Sequence, residues 1–276
     1  VIPNATHLFE EPGRMKEVAE IAADWFECHL LENGKKFYNK YSKTPRERFV
    51  ASFWNAHIFQ IKFRDRGAAG EILASMLGRY KSNRNDVLVI GIARGGIVLA
   101  DVIAEKLHAD FDIIVPKKLR SPHDSENAIG SITQDHEVYL DTSNLEMQKD
   151  ITDEYIDMER SEQRKGMERR LSLYRPYSRE YKIKDRTVIL VDDGIATGAT
   201  VIAAARWIKK YKPRRLIIAS PVAPKRVVKI LKNEADQIEA IRNPSNFKTV
   251  EQFYQYFDAV SDDQILEIAK RRFVIP

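Results

Sequence analysis

Val188-Ile-Leu-Val-Asp-Asp-Gly-Ile-Ala-Thr-Gly-Ala-Thr200 begins as a strand and ends as a loop. Val188 to Val191 run apolar without a polar break, as in a parallel strand buried on both faces. Asp192 and Asp193 then fall at its carboxyl end. Gly194 and Gly198 allow tight backbone turns, Ala196 and Ala199 are small, and Thr197 and Thr200 bring hydroxyls. Val201 to Lys210 read as a helix. A small-residue loop feeding a helix N-terminus offers backbone N–H groups and a positive dipole end, which suits a phosphate. Two carboxylates beside it suit sugar hydroxyls through charge-assisted hydrogen bonds.

Two other phosphate loops are excluded. A P-loop needs Gly-x4-Gly-Lys-Ser/Thr, and this turn has no lysine. The dinucleotide fingerprint Gly-x-Gly-x-x-Gly is absent from Gly194 to Thr200. An Asp-Asp-Gly turn alone is common between any strand and helix; the whole ordered stretch is far more specific.

A second strand, turn and helix unit lies upstream. Asp86-Val-Leu-Val-Ile-Gly91 reads as a buried strand, Ile92-Ala-Arg-Gly-Gly96 as a glycine-rich turn, and Ile97 to Leu107 as a helix. It too can cradle an anion. Arg94 in such a turn is odd without an anion to meet. Strands are also expected at Phe111–Val115, Ala128–Thr133, Glu137–Leu140, Arg214–Ser220 and Gln237–Ile241, and a helix from Asp65 to about Leu77 with Asp65 as its cap. The alternation of strands and helices predicts an α/β fold, a doubly wound and mostly parallel sheet. Ligands in such sheets sit at the carboxyl ends of the strands, where both turns lie.

Pro116 to Asn127 reads as a polar, basic loop, and residues 117–128 as a mobile lid carrying Lys117, Lys118 and Arg120. His123 sits in it, while His108 and His136 show no metal-ligand spacing. Residues 143–173 read as one long helix capped by Asp141, Thr142 or Ser143. Its Met147, Ile151, Tyr155 and Met158 form an apolar stripe, the rest a solvated face of mixed charge. This helix reads as an insertion or a dimer contact. Arg206 to Lys232 holds ten basic residues and no acid. It reads as a field that attracts phosphates, with lysines on solvent faces, rather than as a nucleic-acid face. Residues 244–276 read as an aromatic hood followed by a helix capped at Ser261.

Residues 1–62 read as a helical N-terminal extension, and 63–276 as the main domain. The 276 residues suffice for one α/β domain plus such an extension. A net charge of +5 fits an anionic ligand. The single cysteine, Cys28, excludes an internal disulfide and suits a reducing compartment. With no signal peptide and no membrane span in view, the expected location is cytoplasmic.

The stretch Val188–Thr200 resembles the motif by which type I phosphoribosyltransferases bind 5-phosphoribosyl-1-pyrophosphate (PRPP). The resemblance extends through Phe63–Leu73, Gly91–Gly96, Glu126–Gly130, Arg169–Tyr174, Pro221–Pro224, Glu234–Asp236 and Ser261–Asp262. It matches a branch of that family with no assigned acceptor and covers about residues 63–272. The extension departs from the branch, and the lid segment Ser121-Pro-His-Asp-Ser is poorer in glycine. The resemblance implies a type I phosphoribosyltransferase-like sheet. It implies ribose hydroxyls on Asp192 and Asp193, and the 5′-phosphate on the loop from Gly194 through Thr197, Gly198, Ala199 and Thr200. It assigns pyrophosphate to Arg94, Gly95 and Gly96, a turn that in the family is often strained, sometimes by a non-proline cis peptide. The lid cations join the leaving group, and Phe253, Tyr254 or Tyr256 stack on the acceptor.

The expected activity is therefore transfer of phosphoribose from PRPP, with Mg2+, to a nitrogen nucleophile such as a nucleobase, as in nucleotide salvage. The metal's protein ligands are left unassigned. The expected partners are PRPP and a small-molecule acceptor, within a homodimer and without nucleic acid or membrane. The competing class is a PRPP sensor that binds nucleic acid or a protein through its extension, without turnover.

Overall fold

The computed structural model describes residues 62–81, 86–122, 128–140, 151–176 and 180–273. The chain divides into units Val1–Gln60 and Ile61–Pro276. The expected N-terminal helices, His123, the lid tip 123–127 and residues 141–150 all lie outside the described residues.

Five strands form a fully parallel sheet in the order β2-β1-β6-β7-β8: β1 is Val87–Ile92, β2 Asp110–Ile114, β6 Thr187–Val191, β7 Arg215–Val222 and β8 Gln237–Arg242. Their sequences alternate between two cores. Val87, Val89, Ile189, Val191, Ile217 and Ala219 face one side, with Leu73 of α1 (Arg66–Met76) and Ala100 and Ile103 of α2 (Gly95–Leu107). Leu88, Ile90, Val188, Leu190, Leu216 and Ile218 face the other. There they meet Val201, Ile202, Ala205 and Ile208 of α4 (Ala199–Lys210) and Val227 and Leu231 of α5 (Lys225–Leu231). Each buried valine, leucine or isoleucine among them stabilises the fold by about 1.5–3 kcal/mol. Two-sided burial explains why Val188–Val191 is apolar throughout.

From β1 the chain moves outward to β2, and from β6 it moves the opposite way to β7 and β8. Strand order therefore reverses between β1 and β6, and a crevice opens at their carboxyl ends. Both glycine-rich turns sit there.

A second, antiparallel sheet has the order β3-β4-β5, with β3 at Lys117–Arg120, β4 at Ala128–Ile132 and β5 at Val138–Leu140. Lys117 to Arg120 are thus a strand, where a mobile loop was expected. Leu119 explains the difference: it is buried with Ile129 and Ile132, and it pins the basic segment to β4. The long helix, α3, spans Asp153–Tyr174. Thr152 is extended and caps it by accepting the Tyr155 N–H, so the helix begins there and not near residue 143. Helix α6, Asp262–Arg272, starts with a capping box in which Ser261 and Gln264 bond reciprocally, as Ser261-Asp-Asp-Gln foretold.

Candidate active site

Asp192 and Asp193 follow directly on β6. The Asp193 N–H donates to Oδ1 of Asp192 at 3.0 Å. Burial, then the adjacent Asp193 charge, pushes the Asp192 carboxyl well above the ordinary carboxylate range, while Lys118 acts in the opposite sense. Lys118 of β3 thus lies close enough to the acid pair to act on it.

Two side chains from distant parts of the chain hold Asp193. Arg66, the first residue of α1, donates through Nε to Oδ2 at 2.7 Å. The two side chains are only 12% and 16% exposed. The Arg66 guanidinium also donates to the Asp258 carbonyl at 2.7 Å and lies 3.9 Å from the Phe257 ring centroid. The Tyr254 hydroxyl donates to the Asp193 carbonyl at 2.6 Å.

The β1 turn closes over this carboxylate. The Ala93 N–H is anchored to the Ile114 carbonyl at 2.9 Å, and the Ala93–Arg94 peptide bond is cis. Gly95 then packs directly on Asp193. A Cβ at Gly95 would stand 1.8 Å from Asp193 Oδ2 and 2.9 Å from Arg66 Nε, so the site admits no side chain there. Arg94 reaches away from the acid pair, with Nη1 3.7 Å from Oδ1 of Asp262.

Beyond the acids, Gly194, Ile195, Ala196 and Thr197 form the loop, and Gly198 (φ 91°) turns the chain into α4 from the left-handed region. The Ile195 N–H is tied to the Val222 carbonyl at 2.9 Å, and Thr197 Oγ1 accepts the Ala199 N–H at 3.4 Å. The first N–H groups of α4, at Ala199 and Thr200, have no carbonyl partner within the helix. Together with the dipole they suit an anion.

The structure thus brings together Asp192, Asp193, Gly95, Gly96 and the 194–200 loop, with Lys118 acting on the acid pair, while the Arg94 side chain turns toward Asp262. Lys117 lies on the Arg94 side, where burial leads and neighbouring arginines add to a pKa pulled down to about 8. Arg120 is exposed at the end of β3, its backbone N–H donating to Glu159 at 2.9 Å.

The family described as the phosphoribosyl transferase domain matches residues 65–257. The chain belongs to this family. Two relatives from strains of Mycobacterium tuberculosis, provisionally named phosphoribosyl transferases, are each 31% identical over 209 residues. The alignment covers 76% of this chain and 46% of theirs, so the chain spans about half the length of these curated relatives. A crystal structure from Thermus thermophilus is 32% identical, with a TM-score of 0.63 over 77% of this chain and 99% of that one.

Several expectations for this phosphoribosyl transferase domain change. Phe253 and Tyr254 are buried in the core and cannot stack on an acceptor, because Phe253 packs on Phe247 and Tyr254 on Phe63 and Phe257. Tyr256 is 57% exposed. Within the basic stretch 206–232, Arg206 pairs with Glu234, Lys210 with Asp135 and Glu137, and Arg214 with Asp86. Among the described residues no helix is long and apolar enough to cross a membrane. From the sequence, Arg66 at the start of α1 reads as a phosphate contact or a surface arginine; the structure seats it on Asp193 instead. Its partner Asp193 is 127 residues away, and no local pattern marks such a pair.

Proposed function

We infer that the protein transfers phosphoribose from PRPP to a nitrogen nucleophile of the nucleobase kind and releases pyrophosphate. One observation carries the reading: the acid pair after β6 and the Arg94–Gly96 turn after β1 meet in contact at the point where strand order reverses. A site for a sugar bearing phosphates at both ends needs this pairing of carboxylates with two flanking anion cradles.

In this reading the ribose hydroxyls donate to Asp192 and Asp193. The 5′-phosphate lies on Thr197–Thr200 at the start of α4, and the pyrophosphate lies toward Arg94–Gly96 and β3. The acceptor nitrogen forms a bond to the anomeric carbon. The C–O bond to pyrophosphate breaks, and its electron pair leaves with the pyrophosphate. The transition state has oxocarbenium character, so the two carboxylates are placed to stabilise charge that develops on the ring. Arg66 fixes the Asp193 carboxylate before substrate arrives, which spares reorganisation.

A Mg2+ ion fits this donor set in one way. Among the described residues no cluster of three or more metal-ligating side chains exists, whereas two adjacent carboxylates crowd their negative charge. The ion would take most of its ligands from phosphate oxygens and water, with Asp192 and Asp193 bordering it. When bound it would neutralise the leaving pyrophosphate. The single cysteine and the chemistry together favour a cytoplasmic salvage role.

The test is pyrophosphate release from PRPP and Mg2+, screened over nucleobases and small amines, beside Asp192→Asn/Asp193→Asn. Acceptor-dependent release that falls by roughly 10²–10³-fold or more in the variant supports the reading. Release undiminished in the variant refutes it. PRPP binding without release under any acceptor would instead indicate a sensor.

A further inference from the structure

Helix α3 entered with no assigned chemistry, yet its last turns run beside the Arg94 turn. A Cβ on Gly166 would lie 3.8 Å from both Cε and Nζ of Lys117, so the Lys117 chain passes along the helix at that level. Arg169 and Arg170 follow three and four residues later, on the same face. Tyr174 lies one turn beyond Arg170, and its hydroxyl donates to Oδ1 of Asp262 at 2.5 Å. Asp262 also meets Arg169 at 3.5 Å and Arg94 at 3.7 Å. One carboxylate at the start of α6 thus ties the Arg94 turn to the end of α3.

The charge in this corner does not balance. The four charged groups that act most on Lys117 are Arg170, Arg120, Arg169 and Arg94, all of its own sign. Three arginines elsewhere in this domain are paired tightly: Arg175 with Asp112 at 2.6 Å, Arg206 with Glu234 at 2.6 Å, and Arg272 with Asp101 at 2.6 Å. Here the contacts to Asp262 are loose. Among the described residues Lys117 and Arg170 have no carboxylate within ion-pair distance. Like charges gathered at a half-buried position destabilise the fold unless an anion joins them. One group of this corner, Arg94, belongs to the proposed pyrophosphate turn.

We propose that Lys117 with Arg169 and Arg170 of α3 forms a second wall of the diphosphate site, taking the phosphate farther from the sugar. Arg94 binds on the turn side, and the Tyr174–Asp262 contact holds the end of α3 beside that turn. The inference rests on the PRPP reading. It adds that α3 is part of the substrate site, and that selectivity for a condensed phosphate over a single phosphate resides there.

The test uses the full chain and calorimetric titration with inorganic pyrophosphate, orthophosphate and ribose 5-phosphate, each with Mg2+. Arg169→Gln/Arg170→Gln is expected to weaken pyrophosphate about tenfold or more, with Lys117→Met acting in the same direction. Arg170→Lys should restore part of the loss. Ribose 5-phosphate affinity should stay unchanged, since its contacts lie on Asp192, Asp193 and the α4 loop. Pyrophosphate affinity that survives in both the arginine variant and Lys117→Met, with ribose 5-phosphate still bound, overturns the second wall alone. Wild-type protein that binds neither pyrophosphate nor ribose 5-phosphate overturns the PRPP reading and the wall with it. A thermal melt of each variant separates lost binding from lost folding.

Discussion

At the scale of single residues, the site is set by a missing side chain and a fixed carboxylate. Gly95→Ala would drive a methyl group into the space of Asp193 Oδ2. Either the carboxylate swings away or the turn opens, so kcat/KM should fall by roughly 100-fold or more while the melting temperature moves little. Steady-state kinetics beside a thermal melt checks both halves of that statement. Arg66→Gln removes a charge-assisted bond worth about 1.5–3 kcal/mol, so kcat/KM should drop about 10–100-fold. Arg66→Lys should recover only part, because a point charge cannot reach Asp193 and the Asp258 carbonyl in one plane. Lys117 gives a pH signature. Burial and neighbouring arginines pull its pKa down to about 8, so it is charged below that value and neutral above it. Its contribution to pyrophosphate affinity is therefore present at neutral pH and fades as pH rises through about 8. Affinity measured across that range should lose its lysine-dependent step in Lys117→Arg, whose side chain stays charged. A step of equal size in both proteins would show that the lysine is not its source.

At the scale of elements, short apolar runs ending at a turn were legible, whereas the cap of α3 at Thr152, equally local, was placed near residue 143. β6, β1 and their turns announce themselves by apolar runs followed by glycine, because two-sided burial leaves a signal inside a few residues. The cap of α6 is equally local. Ser261→Ala should cost about 1 kcal/mol, visible in chemical denaturation, since both bonds of the capping box are made. Features held by distant partners left no such trace. Lys117-Lys-Leu-Arg120 shows one apolar residue, and only its pairing with β4 makes it a strand. The end of α3 showed charged residues like any solvated helix, since its tie to Asp262 spans 88 residues. The aromatic hood showed rings but not which of them the core consumes. Phe253 and Tyr254 are packed because β-bridge pairing of Phe63 with Tyr254 draws the segment inward.

At the scale of the whole domain, a buried ion pair fastens the end of α3 to the sheet. Arg175 donates through Nε and Nη2 to the two oxygens of Asp112 in β2, at 2.6 and 3.0 Å, and lies over the Tyr181 ring. Asp112→Asn or Arg175→Met alone should destabilise by about 3–5 kcal/mol, a loss on the order of 10 °C in melting temperature. Asp112→Leu with Arg175→Met should recover much of it, since a matched apolar pair avoids the unpaired charge. Melts of the three variants, if all coincide with wild type, would remove this pair from the account of stability. The same sheet order has a consequence during synthesis. Val87 can pair only with Thr187, and β3, β4, β5 and α3 are made in between. At about 5–20 residues per second, β1 waits on the order of 5–20 s on the ribosome for its neighbour. Throughout that interval one whole flank of β1 has its backbone amides uncovered. Chaperone occupancy on nascent chains should therefore peak before Thr187 emerges and fall once β6 is out.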